Sequence, residues 1–246
     1  MGGYPATPNV YRFMKRTDVL DRHRARHMIE DMAELAGESV ELQLRQENFI
    51  QEPADVYGVT WSAAGGFGDP TERDPASVQE DVENRDVTRE SARAIYGVVL
   101  NADGTVDRAA TDKLRAGLRT ARVARHGAKV RKLSGPVVLR ASEYVAVRMD
   151  GNRPHLTCSR CATDLGPTSG NYKAGCIRED NPINSSNPHA RDPGRFIDAV
   201  PVFRQFFCPG CGGLIENEIA TSDEPLLVDI ELHGLVVPPA KRQAAE

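Results

Sequence analysis

No part of this 246-residue chain is apolar over anything like the ~20 residues that a membrane-spanning helix needs. The opening stretch Met-Gly-Gly-Tyr-Pro-Ala-Thr-Pro-Asn also lacks the basic and apolar regions of a secretory leader. Both absences point to a cytoplasmic protein that does not engage a membrane. Positive charge is not in excess either: 31 Lys and Arg face 35 Asp and Glu, for a net charge of -4, so the chain has no global surface for a polyanion such as nucleic acid. Aromatic residues are sparse at 6%, with a single tryptophan. The glycine-rich loop that holds it, Trp61 to Pro70, matches neither a Walker phosphate loop nor a dinucleotide fingerprint. The favoured reading of that loop is a tight turn packed against a partner. Cysteine is scarce and odd in number, five in all, which suits metal ligation in a reducing compartment better than a disulfide framework.

Four of those cysteines stand in two tight pairs, Cys158-Ser-Arg-Cys161 and Cys208-Pro-Gly-Cys211. Two Cys-x-x-Cys turns supply four thiolates, the donor set of a closed structural zinc site. Gly212 and Gly213 follow the second pair, and a residue at that place often needs the positive φ that glycine adopts freely. Cys208-Pro-Gly-Cys is therefore the stronger half of the motif. The insertion between the pairs is long, but closing the longer loop costs about 1 kcal/mol against an apparent zinc-binding free energy of roughly 10–16 kcal/mol. A thioredoxin-like dithiol would place its pair at a helix start, whereas the run after Gly213 is β-like. Four thiolates leave no open coordination position, so the metal is expected to be structural.

Local patterns place these turns in an α+β chain. Its N-terminal part is a mixed helix and strand segment, and its C-terminal part a β-rich, zinc-ribbon-like domain. Helices are expected over Asp18–Leu35, from Pro75 to about Glu83 behind the Asp74 cap, from Thr88 to Ala94, and from the Asp107 cap to about Arg125. Strands are expected over Ser39–Arg45, Tyr96–Leu100, Glu143–Met149, Pro154–Cys158, Val202–Phe207 and Gly213–Ile219. The segment Leu165–Pro201 reads as mostly irregular, and Pro238–Glu246 as a loose tail. Gly127 to Gly135 marks a boundary between a 1–130 segment and a 131–246 domain. The turn-rich start reads like the middle of a larger protein and suggests dependence on a partner subunit.

The remaining candidates offer little chemistry. Arg108 to Arg125, continued by Lys129 to Lys132, is basic; without interleaved aromatics it reads as a solvated helix face and linker that could dock on an acidic partner, rather than a nucleic-acid patch. His155, three residues before Cys158, is a minority alternative as a metal ligand, and Cys176 reads as a small buried or partly exposed thiol. His189 is expected at the surface. Glu143, Asp180 and Asp192 have no spacing that pairs them as acid and base. The sequence nominates no catalytic and no cofactor-binding residue.

Two family resemblances fit around these residues. Gly65-Gly-Phe-Gly-Asp-Pro-Thr-Glu-Arg-Asp-Pro75, with Val87–Leu100 and Asp103–Asp107, resembles the C-terminal end of the hydantoinase B/oxoprolinase family. The body that holds that family's metal and substrate residues is absent from this chain. The second half resembles the small gamma-type subunit of acetone and acetophenone carboxylases. That likeness rests on the hairpin into Cys158-Ser-Arg-Cys161, on Leu165-Gly-Pro, Asn171-Tyr-Lys173 and Phe203–Leu214, and on Glu216-Asn-Glu218. Together the resemblances imply a structural, non-catalytic zinc subunit of an ATP-dependent ketone carboxylase that uses bicarbonate. Its partners would be a hydantoinase A-like subunit and a truncated hydantoinase B-like subunit in a hetero-oligomer. ATP and a further metal would bind in those partners. An accessory subunit of a hydantoinase, oxoprolinase or lactam amidohydrolase is the alternative within the superfamily. A zinc-ribbon nucleic-acid-binding protein is the alternative from another class.

Overall fold

The structure is a computed structural model that describes residues 3–4, 6, 9–42, 47, 49–62, 64–127, 129–185 and 192–233. The chain forms two compact units, residues 6–64 and residues 1–5 together with 65–246. The division at 130/131 expected from sequence runs inside the second of these.

The smaller unit is a three-stranded antiparallel sheet in the order β2-β1-β3, built from β1 (Val10–Lys15), β2 (Glu38–Val40) and β3 (Val56–Thr60). Its expected long helix over Asp18–Leu35 is reduced to α1 (Val19–Arg24) and a 3₁₀ turn at Met32–Glu34. Arg26 takes a positive φ of 56° and ends the first element. The Asp18 carboxylate does not cap this helix; it accepts from Arg22 Nε (2.8 Å) and Ala36 N (3.0 Å). No residue of α1 is buried, so tertiary packing gives a longer helix nothing to hold it. The strand expected over Ser39–Arg45 is found as far as Val40, and 43–45 lie outside the described residues.

In the larger unit the helices follow their caps. Asp74 accepts from Ala76 N ahead of α2 (Pro75–Glu83), and Thr88 Oγ1 accepts from Ser91 N ahead of α3 (Arg89–Ala94). Asp107 accepts from Ala110 N ahead of α4 (Arg108–His126), which ends on Gly127 at φ 65°. Val78, Ala92 and Val98 form a small core under α2 and α3. The expected strand Tyr96–Leu100 reduces to one bridge between Leu100 and Val106, because Val98 N is taken by Ala92 O and Val99 N by Thr111 Oγ1.

Two antiparallel sheets complete this unit. One runs β4-β5-β6-β7, from β4 (Val137–Arg140), β5 (Val145–Asp150), β6 (Arg153–Cys158) and β7 (Asp164–Pro167). The other runs β10-β9-β8, from β8 (Ile177–Pro182), β9 (Pro201–Phe207) and β10 (Leu214–Thr221). The β5–β6 hairpin turns at Gly151, φ 60°, as its sequence predicts. β8 corrects the expectation of an irregular Leu165–Pro201, for it pairs with β9 from Ile177↔Phe207 to Pro182↔Val202. It escapes the pattern of a half-buried strand because it lies at a sheet edge and carries charge along Arg178, Glu179 and Asp180. The main core joins both sheets through Val145, Val147, Leu156, Leu165, Tyr172, Phe206 and Ile215. Residues 238–246, expected to be a tail, lie outside the described residues.

Candidate metal centre

β6 delivers Cys158 and β9 delivers Cys208, and each strand then turns back through the same backbone pattern. Cys158 N donates to Thr163 O and Ala162 N to Cys158 O, both at 2.9 Å; Cys208 N donates to Gly213 O (2.9 Å) and Gly212 N to Cys208 O (2.8 Å). The residue after the second cysteine is left-handed in both turns, at φ 59° for Ala162 and φ 68° for Gly212. The first turn thus adopts with alanine the conformation that the second reaches with glycine. Holding a non-glycine residue there costs roughly 1–2 kcal/mol. Ala162→Gly is therefore expected to raise stability by about 0.5–1 kcal/mol after the added chain entropy is deducted. Gly212→Ala is expected to be destabilising beyond that penalty, since its Cβ would strike the Arg119 carbonyl. Thermal unfolding of the two metal-loaded variants checks the opposite signs.

The four cysteines are free thiols whose sulfurs all lie within 4.8 Å of one another. Cys158 Sγ is 3.9 Å from Cys211 Sγ, and Cys161 Sγ is 3.5 Å from Cys208 Sγ. A tetrahedral zinc with bonds near 2.3 Å requires sulfur edges of about 3.8 Å, close to both of these distances, so the donor set fits the ion. Electrostatics agree. Hydrogen bonds among the thiols hold Cys158 and Cys208 protonated well above the usual range, and pull Cys161 and Cys211 down toward thiolate. Gly210 N donates to Cys208 Sγ (3.4 Å), and Thr163 Oγ1 lies 3.1 Å from Cys161 Sγ. Such donors stabilise bound thiolates.

The other sequence candidates fall away from this centre. His155 Nδ1 lies 2.9 Å from Asp164 Oδ1, so it is paired outside the cluster. Three positions along one strand put His155 and Cys158 on opposite faces. Cys176 lies outside the four-sulfur group: its thiol donates to Tyr172 O (3.4 Å), and burial pushes it up to about 12. Glu143 and Asp192 are exposed, the latter capping a 3₁₀ turn through Gly194 N. Asp180 is held below the ordinary carboxylate range by its hydrogen bond from Arg178. His189 lies outside the described residues.

Sequence reasoning did not anticipate what surrounds the cysteines. The Asp69 side chain is 0% exposed; it accepts from Thr71 N (2.9 Å) and from Leu214 N (2.9 Å), just past the second turn. Arg160, between Cys158 and Cys161, bridges Glu72 (2.5 and 2.8 Å) and Leu214 O (2.9 Å), and its guanidinium lies 3.8 Å from the Tyr144 ring centroid. Three α4 arginines close the arrangement, which corrects the expectation of a solvated helix face for that stripe, while Arg108, Lys113 and Arg125 are exposed as expected. Arg115 donates to Tyr96 O and Arg73 O, Arg119 to Glu72, and Arg122 to Gly212 O while covering the Phe207 ring. The i, i+4, i+7 spacing of Arg115, Arg119 and Arg122 was the available signal.

A second buried cluster gathers residues that had appeared as separate motifs. Lys173 Nζ and Arg204 Nη1 both donate to Glu218, at 3.0 and 2.9 Å. Arg204 also pairs with Asp180 (3.2 Å) and Lys173 with Asp229 (3.3 Å), which accepts from Tyr172 Oη as well. Every charge in it is matched, so it reads as structural rather than catalytic.

Comparison with known proteins places the cysteine centre in one family. Residues 132–235, which contain all four cysteines, match the family described as acetone carboxylase gamma subunit. Over 97 residues the chain is 34% identical to an acetophenone carboxylase beta subunit from Aromatoleum aromaticum, covering 38% of this chain and 74% of that protein. Over 52 residues it is 48% identical to a caprolactamase subunit beta from Pseudomonas jessenii, covering 21% of this chain and 9% of that one. A solved nucleotide-free structure of acetone carboxylase is 27% identical, covering 50% of this chain and 18% of the other, with a TM-score of 0.40. The chain therefore spans most of the first relative and less than a fifth of the other two proteins.

Proposed function

This chain belongs to the acetone carboxylase gamma subunit family, and from that membership we propose that it is the zinc-stapled, non-catalytic subunit of an ATP-dependent ketone carboxylase that uses bicarbonate. The observation that carries the proposal is the placement of a closed four-thiol cluster inside the matched region. Cys158, Cys161, Cys208 and Cys211 would hold zinc, which would supply cross-linking of the two turns and no Lewis-acid chemistry, because four thiolates fill the coordination sphere. ATP, bicarbonate and ketone would be handled by a hydantoinase A-like and a hydantoinase B-like subunit. Residues 1–130 would be the C-terminal segment of the hydantoinase B-like fold, and 131–246 the gamma-type domain.

A dependence on partners is supported by the smaller unit. Among the described residues of 6–64, the buried hydrophobic side chains are Phe13 and Leu35, whereas Tyr11, Met28, Ile50, Tyr57 and Trp61 are exposed. A unit of that size with so little core needs further burial elsewhere. Among the described residues no helix is long and apolar enough to cross a membrane.

The caprolactamase relative supports a second reading, an accessory subunit of a lactam-hydrolysing complex. Affinity purification of the tagged chain from its host separates the two. Co-purification of two large subunits, zinc near one equivalent per chain, and bicarbonate-dependent ATP turnover with acetone or acetophenone are expected. Turnover with caprolactam and none with ketones would favour the second reading. A stable monomer without partners would remove the basis of both.

A further inference from the structure

We propose that occupancy of the four-cysteine centre controls the order of the loop Gly65–Arg73, with Asp69, Glu72 and Arg160 as the positioning residues that carry the coupling; this rests on the zinc reading above.

The two cysteine turns lie at the ends of different sheets, the first between β6 and β7 and the second between β9 and β10. A metal bound by all four thiols fixes one turn against the other. The loop contacts both turns at once. From the first, Arg160 reaches Glu72 through Nε (2.5 Å) and Nη2 (2.8 Å). From the second, Leu214 N donates to Asp69 Oδ2 (2.9 Å). Arg160 Nη1 also donates to Leu214 O, so one guanidinium ties the first turn, the second turn and the loop together. Gly213 is what permits this: a Cβ there would lie 2.7 Å from Arg160 Nη1.

The second half of the loop is also held by α4, where Arg119 donates to Glu72 and Thr71 Oγ1 and Arg115 to Arg73 O, so it is the first half that leans most on the two turns. Its path runs through Gly65, Gly66 and Gly68, the last at φ 77°, and Phe67 at its tip is 76% exposed. Asp69 is the buried anchor, and its backbone N–H donates to the Tyr144 hydroxyl (3.0 Å) under the Arg160 guanidinium. A fully buried carboxylate that accepts a backbone N–H from one turn, and whose neighbour accepts a guanidinium from the other, is satisfied when the two turns keep their spacing. If the turns part, Asp69 loses a donor that water cannot replace without opening the loop. Coupling of this kind is reciprocal, so whatever holds the loop in place also tightens the metal.

The test uses the full chain. Hydrogen exchange is followed by mass spectrometry for zinc-loaded and chelated protein, with zinc per chain measured by elemental analysis. Chelation is expected to speed exchange by roughly tenfold or more in peptides spanning 65–73, alongside both cysteine turns, while peptides within 6–64 stay unchanged. Zinc transfer from the loaded protein to a chromogenic chelator is then timed for Asp69→Asn, for the milder Glu72→Gln at an exposed position, and for the control Glu38→Gln in residues 6–64. Release roughly tenfold faster in the first two, and unchanged in the control, is expected. One zinc per chain with equal release from all variants, or a loop whose exchange ignores chelation, would overturn the coupling alone. A chain that takes up no zinc would overturn the metal reading as well.

Discussion

Cys208→Ser is expected to take bound zinc from near one equivalent per chain to near zero and to abolish cooperative unfolding of residues 65–246. Cys208 is fully buried, its sulfur lies 3.5 Å from that of Cys161, and Gly210 N donates to it. Serine keeps the shape but offers a neutral hydroxyl in place of a soft thiolate. The three remaining thiols then face one another across the junction of two sheets without a cation. Apparent zinc-binding free energies of roughly 10–16 kcal/mol exceed or match the 5–15 kcal/mol, approximately, by which whole domains are stable. Losing most of that term therefore does not leave a merely weakened unit. Elemental analysis and thermal unfolding of the purified chain measure both effects. Retention of one equivalent with an unchanged melting curve would show that the cluster is not a zinc centre. Acidification should mimic the substitution. Metal uptake displaces the protons held on Cys158 and Cys208, so the metal-bound state carries fewer protons, and lowering the pH favours the metal-free state.

The centre was legible in the sequence because its information is local. Each Cys-x-x-Cys turn is specified within six residues, and the need for a left-handed residue at Gly212 follows from the turn itself. The same holds for the helices behind Asp74, Thr88 and Asp107, whose caps are set by residues two or three positions away. What surrounds the centre was not legible, because it depends on which distant segments meet. Asp69 bonds Leu214 across 145 positions, and nothing near Asp69 announces that its carboxylate will be buried. The α4 arginines show the opposite failure. Their spacing marked a shared face, but the character of that face depended on Glu72, Phe207 and Gly212 arriving from elsewhere. In β8 the pattern itself misleads, since Asp180 faces a buried arginine of β9 where an apolar residue would ordinarily signal a strand. His155 is a simpler case: strand periodicity alone sets it opposite to Cys158.

The loss of Glu218 is the other large effect expected. Glu218→Gln preserves volume and one acceptor oxygen, yet it removes the anion shared by two buried cations. Arg204 is 0% exposed and Lys173 1% exposed, so neither can recover hydration by turning outward. Asp180 and Asp229 remain, at 3.2 Å from Arg204 and 3.3 Å from Lys173, but each is partly exposed and Asp229 already accepts the Tyr172 hydroxyl. Because each cation keeps one carboxylate, the loss is that of the shared buried anion and its two charge-assisted hydrogen bonds, about 1–3 kcal/mol, whereas replacing a whole buried ion pair by apolar groups is often neutral. The double variant Lys173→Met, Glu218→Leu should therefore recover part of what the single variant loses. Glu38→Gln, which breaks the exposed pair with Arg16, should change stability by less than about 1 kcal/mol. Urea unfolding of the zinc-loaded proteins gives all three values. The penalty has a specific location, because Lys173 Nζ also donates to Leu227 O and Arg204 to the carbonyls of Thr221 and Glu224. These bonds hold the segment after β10, which carries Leu226, Ile230 and Leu232 onto the core shared by both sheets. A variant that keeps its zinc, loses less than about 1 kcal/mol, and leaves that segment protected from exchange would mean that the buried charges are balanced without Glu218.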